Sequence, residues 1–204
     1  MLIVGLTGGI GTGKSVVSGF LKELGAEIAN ADKIANDITD CDESVIADIK
    51  RTFGENTYTH EGRLDRKTLG EIVFASESAR MALNRIVHPV LIQTLEQKVE
   101  QVRSDSTPGL LIVEAALLYE MRIERLFDLI IVIISPVELV IKRLAKRDGL
   151  TRDAIVNRIR SQLPQEQKQM RADFVIRNDL DLNHLKSQVT RLYRRLISDA
   201  RALH

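Results

Sequence analysis

The sequence predicts an α/β fold of three layers, in which helices cover both faces of a parallel β-sheet. Three observations lead to this prediction. Continuous apolar runs such as Leu2–Thr7 and Leu129–Ser135 are typical of parallel strands that are buried on both faces. Segments with helical periodicity separate these runs. A glycine-rich turn joins the first run directly to an amphipathic segment, as in a strand–turn–helix unit.

Five strands are predicted along the chain. Between the second and the third, about eighty residues show helical periodicity only, so we expect a helical insertion within the sheet domain. Such an insertion is expected to bind a second substrate. The predicted strands are Leu2–Thr7, Glu27–Ala29, Leu110–Ala115, Leu129–Ser135 and Phe174–Ile176.

Several helix boundaries can be assigned from capping residues. Asp65 is expected to cap a helix of the insertion, and Pro89 to mark a kink or a fresh helix start. Ser135, which proline and later glutamate follow, is the expected N-cap of a helix that Gly149 ends. Thr151 is expected to cap the next helix, so that the two helices form a basic hairpin.

The turn after the first strand carries the strongest functional signal. Residues Gly8–Ser15 read Gly-Gly-Ile-Gly-Thr-Gly-Lys-Ser and fit the phosphate-binding loop, or P-loop, G-x-x-x-x-G-K-[ST]. In this pattern the glycine backbone wraps around phosphates, Lys14 reaches the β- and γ-phosphates, and the Ser15 hydroxyl ligates Mg²⁺. The sequence therefore predicts a nucleotide site whose contacts are Gly9, Ile10, Gly11, Thr12, Gly13, Lys14, Ser15 and Val16.

Composition narrows the classes of partner. A formal net charge of +1 over 204 residues gives no general case for nucleic acid or an anionic membrane. Cys41 is the single cysteine, so neither an intrachain disulfide nor a thiolate metal cluster is expected. No apolar run approaches the ~18 residues of a membrane span, and no signal-peptide pattern opens the sequence. We therefore expect a cytoplasmic protein.

A P-loop alone is shared by switch GTPases, motor ATPases and small-molecule kinases. The chain has no Asn-Lys-x-Asp signature for guanine and no Asp-x-x-Gly at the end of a strand, which disfavours a GTP switch. From Lys142 to Arg171, nine Lys and Arg residues stand against three Asp and Glu. A basic hairpin and a helical insertion beside a P-loop indicate a kinase of the nucleoside-phosphate type, in which cations surround the γ-phosphate.

Several further segments carry a resemblance in their order and spacing. They are Gly5–Gly11, Asn30–Ala35, His88-Pro89, Glu114–Glu120, Gln162–Pro164 with Lys168, and Ala172–Asn178. Together they resemble the dephospho-coenzyme A kinase family over nearly the whole chain. The resemblance implies that Mg·ATP donates its γ-phosphoryl group to the ribose 3′-hydroxyl of dephospho-CoA, the last step of coenzyme A synthesis.

By this resemblance Asp32 matches the catalytic aspartate, which would orient and deprotonate the attacking hydroxyl. Its place after the second predicted strand agrees, because ligands of open α/β sheets bind at the carboxyl ends of the strands. The alternative is that Asp32 only caps the following helix. Glu114 fits a partner of Mg²⁺ together with Ser15, and otherwise is a surface carboxylate at a strand end.

Arg143 and Arg147 lie four residues apart and would close over the phosphates, with Arg143 in a catalytic role; their alternative is an ordinary solvated helix face. Asn178 matches the adenine-side loop of the family. The acceptor would contact Thr7, Asp32, Arg66, His88 and Leu118. For His88 a structural role is the alternative, and Arg66 could instead cover a helix end.

The sequence departs from the family pattern at four places: Asn30 for an aspartate, Asn36 for an arginine, Ala116 for a proline, and Asp179-Leu180 for Ser-Gly. These departures leave Lys14, Ser15 and Asp32 unchanged.

We expect a P-loop core over residues 1–36, 105–141 and 172–204, an acceptor-binding insertion over 37–104 and a lid over 142–171. The expected partners are ATP and dephospho-CoA, with no nucleic acid and no membrane, in a monomer or weak homo-oligomer. A kinase for another nucleotide-like acceptor and a non-catalytic ATP sensor remain alternatives.

Overall fold

A computed structural model of the chain describes residues 1–104 and 109–202. Its five described strands form one parallel sheet in the order β2-β3-β1-β4-β5, which confirms the predicted α/β class and all five predicted strands. The strands are β1 (Leu2–Gly8), β2 (Glu27–Asn30), β3 (Leu110–Glu114), β4 (Leu129–Ile134) and β5 (Phe174–Arg177).

Helices connect these strands. In the described residues the α-helices are α1 (Lys14–Glu23), α2 (Ala31–Cys41), α3 (Glu43–Phe53), α4 (Arg66–Ala75), α5 (Glu77–Ser104), α6 (Val137–Asp148), α7 (Arg152–Arg160), α8 (Gln165–Met170) and α9 (Leu182–Ala202). None of these is both long and apolar enough to cross a membrane.

The chain divides into two compact units. The sheet unit contains residues 1–30 and the described residues from 99 onward, and the helical unit contains residues 31–98. The helical unit falls within the segment where the sequence shows no strand. The predicted domain boundary at residue 105 lies outside the described residues.

The sheet unit is built around β1, which pairs with β3 on one side and β4 on the other. Both faces of the central strands are buried, as their continuous apolar sequences require. On one face the side chains of Val4 and Ile112 pack against α1 and α9. On the other, Leu118 and Phe127 lie so close to Gly5 that a Cβ there would be 2.7 Å from Leu118 Cδ1.

The helical unit is held by contacts among its own helices and turns. The Tyr58 hydroxyl donates to the Thr39 carbonyl at 2.8 Å, and burial raises the pKa of Tyr58 to about 12. Asp65 accepts hydrogen bonds from Lys67 N and Thr68 N, which confirms it as the N-cap of α4. Gly54 ends α3 at a φ of 100°, where glycine avoids the strain of a side chain.

One prediction of a helix boundary is wrong. The expected N-cap Ser135 is not one, because α6 begins at Val137 and the Ser135 hydroxyl donates to the Asn178 carbonyl at 2.6 Å. Of the two alternatives for Pro89, a fresh helix start is excluded, since α5 continues through it, and a kink stays a prediction. A proline removes one helical hydrogen bond, and the buried positions of α5 on either side compensate for that loss. The predicted cap Thr151 and terminator Gly149 are confirmed.

We expect the packing of α9 on the sheet to dominate the stability of the sheet unit. Leu196→Ala should lower the free energy of unfolding by about 3 kcal/mol, because Leu196 is fully buried and its truncation leaves a cavity. Leu182→Ala, in the same helix but 63% exposed, is the matched control and should change it by less than about 0.5 kcal/mol. Urea denaturation followed by circular dichroism measures both. Equal losses in the two variants would contradict this assignment of the core.

Candidate active site

The P-loop wraps tightly between β1 and α1. Gly11 and Gly13 have φ values of 72° and 99°, a region that side chains disfavour. The Thr12 hydroxyl donates to the Gly9 carbonyl at 2.8 Å and closes the turn. Lys14 Nζ donates to the carbonyls of Gly8 and Gly9, each at 3.1 Å, so its ammonium lies against the first half of the loop. The loop thus presents backbone N–H groups and one cation to the same region.

Asn178, just past β5, supports the loop from the other end of the chain. Its Nδ2 donates to the Thr12 carbonyl at 2.8 Å, and its side chain is buried. A Cβ on Gly13 would overlap this amide. Glycine at 13 is therefore required twice, by its positive φ and by the close approach of Asn178.

Glu114, the last residue of β3, is a buried carboxylate with an exposure of 2%. It accepts hydrogen bonds from the Ser15 hydroxyl at 2.7 Å and from the Ser18 hydroxyl at 2.6 Å. Burying an ionised carboxylate is costly unless hydrogen bonds compensate for lost hydration, and these two do so. Glu114 thereby ties the start of α1 to β3.

A cleft of about 450 Å³ opens beside the loop. It brings together most of the residues predicted to bind the nucleotide, which come from the P-loop, α6 and the segment after β5. Leu180 and Leu182 add apolar surface, with more than 60% of each residue exposed. The predicted residues that line the cleft are Gly11, Gly13, Lys14, Ser15, Val16, Arg143, Arg147 and Asn178.

The two predicted arginines of α6 differ in their surroundings. The Arg143 guanidinium donates to the Ser135 hydroxyl at 3.0 Å and to Asn178 Oδ1 at 3.1 Å, and burial lowers the pKa of Arg143. Arg147 is 65% exposed and pairs through two nitrogens with Asp148, a hydrogen bond that raises the pKa of Arg147. Arg143 is therefore held against the floor of the cleft, whereas Arg147 lies at its rim.

Beyond α7, the chain returns to the sheet through residues 162–168, which we call the strap. Gln162 Oε1 accepts a hydrogen bond from Ile10 N at 2.8 Å, and Gln165 Oε1 accepts one from Ser135 N at 3.0 Å. Lys168 is completely buried; its ammonium donates to the Ala116 carbonyl at 3.0 Å and lies 2.8 Å from a Glu120 carboxylate oxygen.

A second cavity, of about 360 Å³, lies between the strap and the P-loop. The predicted residues Gly9, Ile10 and Thr12 line this cavity and not the first cleft. The sequence contained Gln162 and Lys168 as matches to a family pattern, but no local signal showed what they contact.

Thr7 and Leu118, which the resemblance assigned to the acceptor, are fully buried in the sheet unit. The Thr7 hydroxyl donates to the Ala116 carbonyl at 3.4 Å, and Leu118 packs against Gly5. Thr7 lies near the carboxyl end of β1, and Leu118 lies in the loop that follows β3.

The remaining predicted residues belong to the helical unit. Asp32 is exposed in the first turn of α2, two residues after the end of β2. Arg66 donates to Asn36 Oδ1 at 2.6 Å and pairs with Asp40 at 2.8 Å, so it braces α2 against the start of α4. His88 is half-buried near the middle of α5.

The donor set around Ser15 is compatible with Mg²⁺, which prefers hard oxygen ligands and retains water and phosphate oxygens. Ser15 provides a hydroxyl oxygen, and Glu114 lies behind it at hydrogen-bond distance. Among the residues that the structure describes, no group of three or more His, Cys, Asp and Glu side chains could hold a metal ion. A metal here would therefore depend on the nucleotide for most of its ligands.

Comparison with known proteins gives consistent matches. A family model described as dephospho-CoA kinase matches residues 2–184. A curated dephospho-CoA kinase of Carboxydothermus hydrogenoformans is 38% identical over 92% of this chain and 90% of that protein. The solved structure of a Campylobacter jejuni dephospho-CoA kinase is 30% identical with a TM-score of 0.73, covering 97% and 98% of the two chains. A Thermus thermophilus protein of known structure is 31% identical, with a TM-score of 0.76 over 96% and 97%.

The crowding at Gly13 leads to a prediction. Gly13→Ala should weaken ATP binding by about tenfold or more, because the new methyl group displaces Asn178 and forces an unfavourable φ. Gly19→Ala is the matched control in α1, where a Cβ meets nothing within 4 Å and alanine favours the helix. Isothermal titration calorimetry with ATP measures both. Unchanged ATP affinity in Gly13→Ala would contradict the tight packing of Asn178 on the loop.

Proposed function

The chain belongs to the dephospho-CoA kinase family, and from this premise we propose that it transfers the γ-phosphoryl group of ATP to the ribose 3′-hydroxyl of dephospho-CoA. The phosphorylation of dephospho-CoA in coenzyme A biosynthesis follows from the family match. The observation that carries the finer proposal is the ordered P-loop, with Lys14 against its first half and Ser15 bonded to Glu114.

In this proposal the P-loop binds the phosphates of ATP. The backbone from Gly9 to Val16 surrounds the phosphates, and the start of α1 adds the positive end of its dipole. Lys14 neutralises charge on the β- and γ-phosphates as the phosphoryl group leaves ADP. Asn178 keeps the loop in shape through Thr12 and lines the cleft on the side of the base.

Arg143 is proposed to stabilise the charge that develops on the phosphates during transfer. Its hydrogen bonds to Ser135 and Asn178 fix the guanidinium, so that little reorganisation is needed when the charge moves. Arg147, at the exposed rim, is proposed to contact the nucleotide after it exchanges its pairing with Asp148. Residues 142–171, which include α7 and the strap, are proposed to act as the lid.

Asp32 is proposed as the general base. It would accept the proton of the attacking 3′-hydroxyl while oxygen bonds to the γ-phosphorus and ADP leaves. Its location in the turn that follows β2 supports this role, because the carboxyl end of a parallel strand is where such sheets place reacting groups. Asp32 is exposed, so its carboxylate is accessible from solvent.

Mg²⁺ is proposed as the metal, with Ser15 as its protein ligand and Glu114 as the residue that orients Ser15. When bound with ATP, the ion supplies positive charge against the phosphate oxygens. The chain's own contribution is the orientation of Ser15, which Glu114 fixes by accepting a hydrogen bond from its hydroxyl. Ser18 holds the other carboxylate oxygen, so Glu114 cannot rotate without losing a hydrogen bond.

The acceptor is proposed to bind through the helical insertion, residues 37–104. Arg66 and His88 are the candidate contacts within the insertion. Thr7 and Leu118 stay predicted contacts of the acceptor. Both residues are fully buried, which does not favour a direct contact. We also propose that the enzyme is cytoplasmic and that it is a monomer or a weak homo-oligomer.

Turnover with competing acceptors tests the proposed function. ADP release from Mg·ATP should depend on dephospho-CoA and yield CoA, with little release when AMP, CMP, UMP, dTMP or adenosine replaces it. A coupled assay for ADP, with chromatography of the product, measures this directly. Turnover of a monophosphate would instead indicate a nucleoside monophosphate kinase. ATP binding without turnover of any acceptor would indicate a sensor.

Asp32→Asn should lower kcat by about a hundredfold or more while ATP still binds, because the amide cannot take up the proton. Asp37→Asn is the matched control, since Asp37 is an exposed carboxylate in the same helix. Its kcat should stay within about twofold of the unsubstituted enzyme. Steady-state kinetics with dephospho-CoA, together with ATP titration, measures both variants. Near-normal turnover in Asp32→Asn would remove Asp32 from the mechanism.

A further inference from the structure

Gln162 lies on the P-loop, although it is separated from it by some 150 residues of sequence. Its Oε1 accepts the hydrogen bond of Ile10 N at 2.8 Å. Because a backbone N–H can only donate, this contact fixes which end of the carboxamide faces the loop. The opposite end, Nε2, carries two N–H donors, and within residues 1–104 and 109–202 no protein acceptor contacts them.

The position of Gln162 along the loop identifies the phosphate that it faces. Lys14 Nζ contacts the carbonyls of Gly8 and Gly9, and Gln162 contacts the next peptide, at Ile10. In a P-loop the lysine marks where the β- and γ-phosphates bind. The carboxamide of Gln162 therefore lies beside the part of the loop that the Lys14 ammonium contacts, where the terminal phosphate is expected, and Lys14 also lines the cleft that Asn178 lines.

The cavity on this side contains donors beside the loop. Gly9, Ile10, Gln162 and Arg160 line it together with apolar residues such as Val140 and with Glu166. Arg160 is exposed and has no ion-pair partner among the described residues, so its charge raises the local potential. The carboxamide Nε2 of Gln162 and the Arg160 guanidinium are donors that match phosphate oxygens.

The strap holds Gln162 through contacts with the loop after β3 and with the end of β4. Glu120 Oε1 accepts from Leu163 N at 2.8 Å, directly after Gln162, and the same oxygen lies 2.8 Å from Lys168 Nζ. Lys168 is wholly buried, so this ion pair is strongly maintained once formed. Gln165 adds a further anchor at the end of β4. The side chain of Gln162 is therefore oriented before nucleotide arrives, which lowers the cost of using it.

We propose that Gln162 is a catalytic residue that binds the terminal phosphate: its Oε1 is anchored on Ile10 N, and its Nε2 donates to the γ-phosphoryl oxygens of ATP. Gln162 forms no covalent bond and transfers no proton. It stabilises the oxygens while the phosphoryl group passes from ADP to the acceptor. The inference rests on the proposed function for the reaction, but the contact itself concerns ATP alone.

Substitution by glutamate and by methionine separates this role from mere support of the loop. Gln162→Glu keeps an acceptor for Ile10 N but replaces the two donors with a negative charge. Gln162→Met removes both functions at similar size. Gln169→Glu and Gln169→Met are matched controls, because Gln169 is exposed in α8 and its side chain contacts no described hydrogen-bond partner.

Isothermal titration with Mg·ATP and Mg·ADP is the decisive measurement. Gln162→Glu should raise the dissociation constant of ATP by about tenfold or more and that of ADP by less than about threefold, since only ATP brings the γ-phosphate near the new charge. Gln162→Met should raise the value for ATP by about three- to tenfold, as expected for lost hydrogen bonds. kcat should follow the same order, with glutamate lower than methionine.

The proposal is overturned if Gln162→Glu binds ATP as the unsubstituted protein does, or if ATP and ADP weaken equally. Either result would make Gln162 a support of the loop only. Melting temperatures of the Gln162 and Gln169 variants should agree within a few degrees. The binding comparison needs no acceptor, so a protein that discriminates ATP from ADP through Gln162 but does not phosphorylate dephospho-CoA would contradict the proposed function and leave this inference standing.

Discussion

The pairing of β1 on both of its edges is the constraint from which the rest of the site follows. β3 and β4 both hydrogen-bond to β1 in parallel, so the turn that leaves β1 emerges between their carboxyl ends. Groups from both neighbours therefore surround the P-loop: Glu114 from β3 holds the start of α1, and Ser135 after β4 joins the Arg143 and Asn178 network. Because parallel strands end on the same side, one short loop can meet all of these contacts.

Much of this architecture could be predicted from the sequence, because its signals are local. Continuous apolar runs predicted β1, β3 and β4 to within one residue at either end, since a strand buried on both faces is mostly apolar. The spacing of Gly8–Ser15 predicted the P-loop, since glycine, lysine and serine are each needed there for a geometric reason. Caps such as Thr151 and Asp65 were also local, because a capping side chain bonds only the next turn of its own helix.

The parts that sequence reasoning missed depend on partners distant along the chain. Ser135 has the sequence pattern of an N-cap, but the Asn178 carbonyl and the Arg143 guanidinium occupy its hydroxyl, and no local pattern reports that competition. A lysine in a polar segment is expected to be solvated. Lys168 is buried instead, because its ammonium pairs with the Glu120 carboxylate. The roles assigned to Asp32, Arg66 and His88 stay predictions, since each role depends on a bound substrate and not on neighbours in sequence.

Asn178 also has a consequence for synthesis of the protein. The phosphate-binding pattern ends at Ser15, yet the Thr12 carbonyl accepts a hydrogen bond from the side-chain amide of Asn178, which lies 166 residues later. The loop's flanking strands, β3 and β4, likewise arrive only after residue 109. A nascent chain on the ribosome therefore displays the motif early but cannot complete its nucleotide pocket until β5 has emerged, since such long-range pairings form late. ATP can thus stabilise the chain only once β5 has formed and Asn178 can reach Thr12.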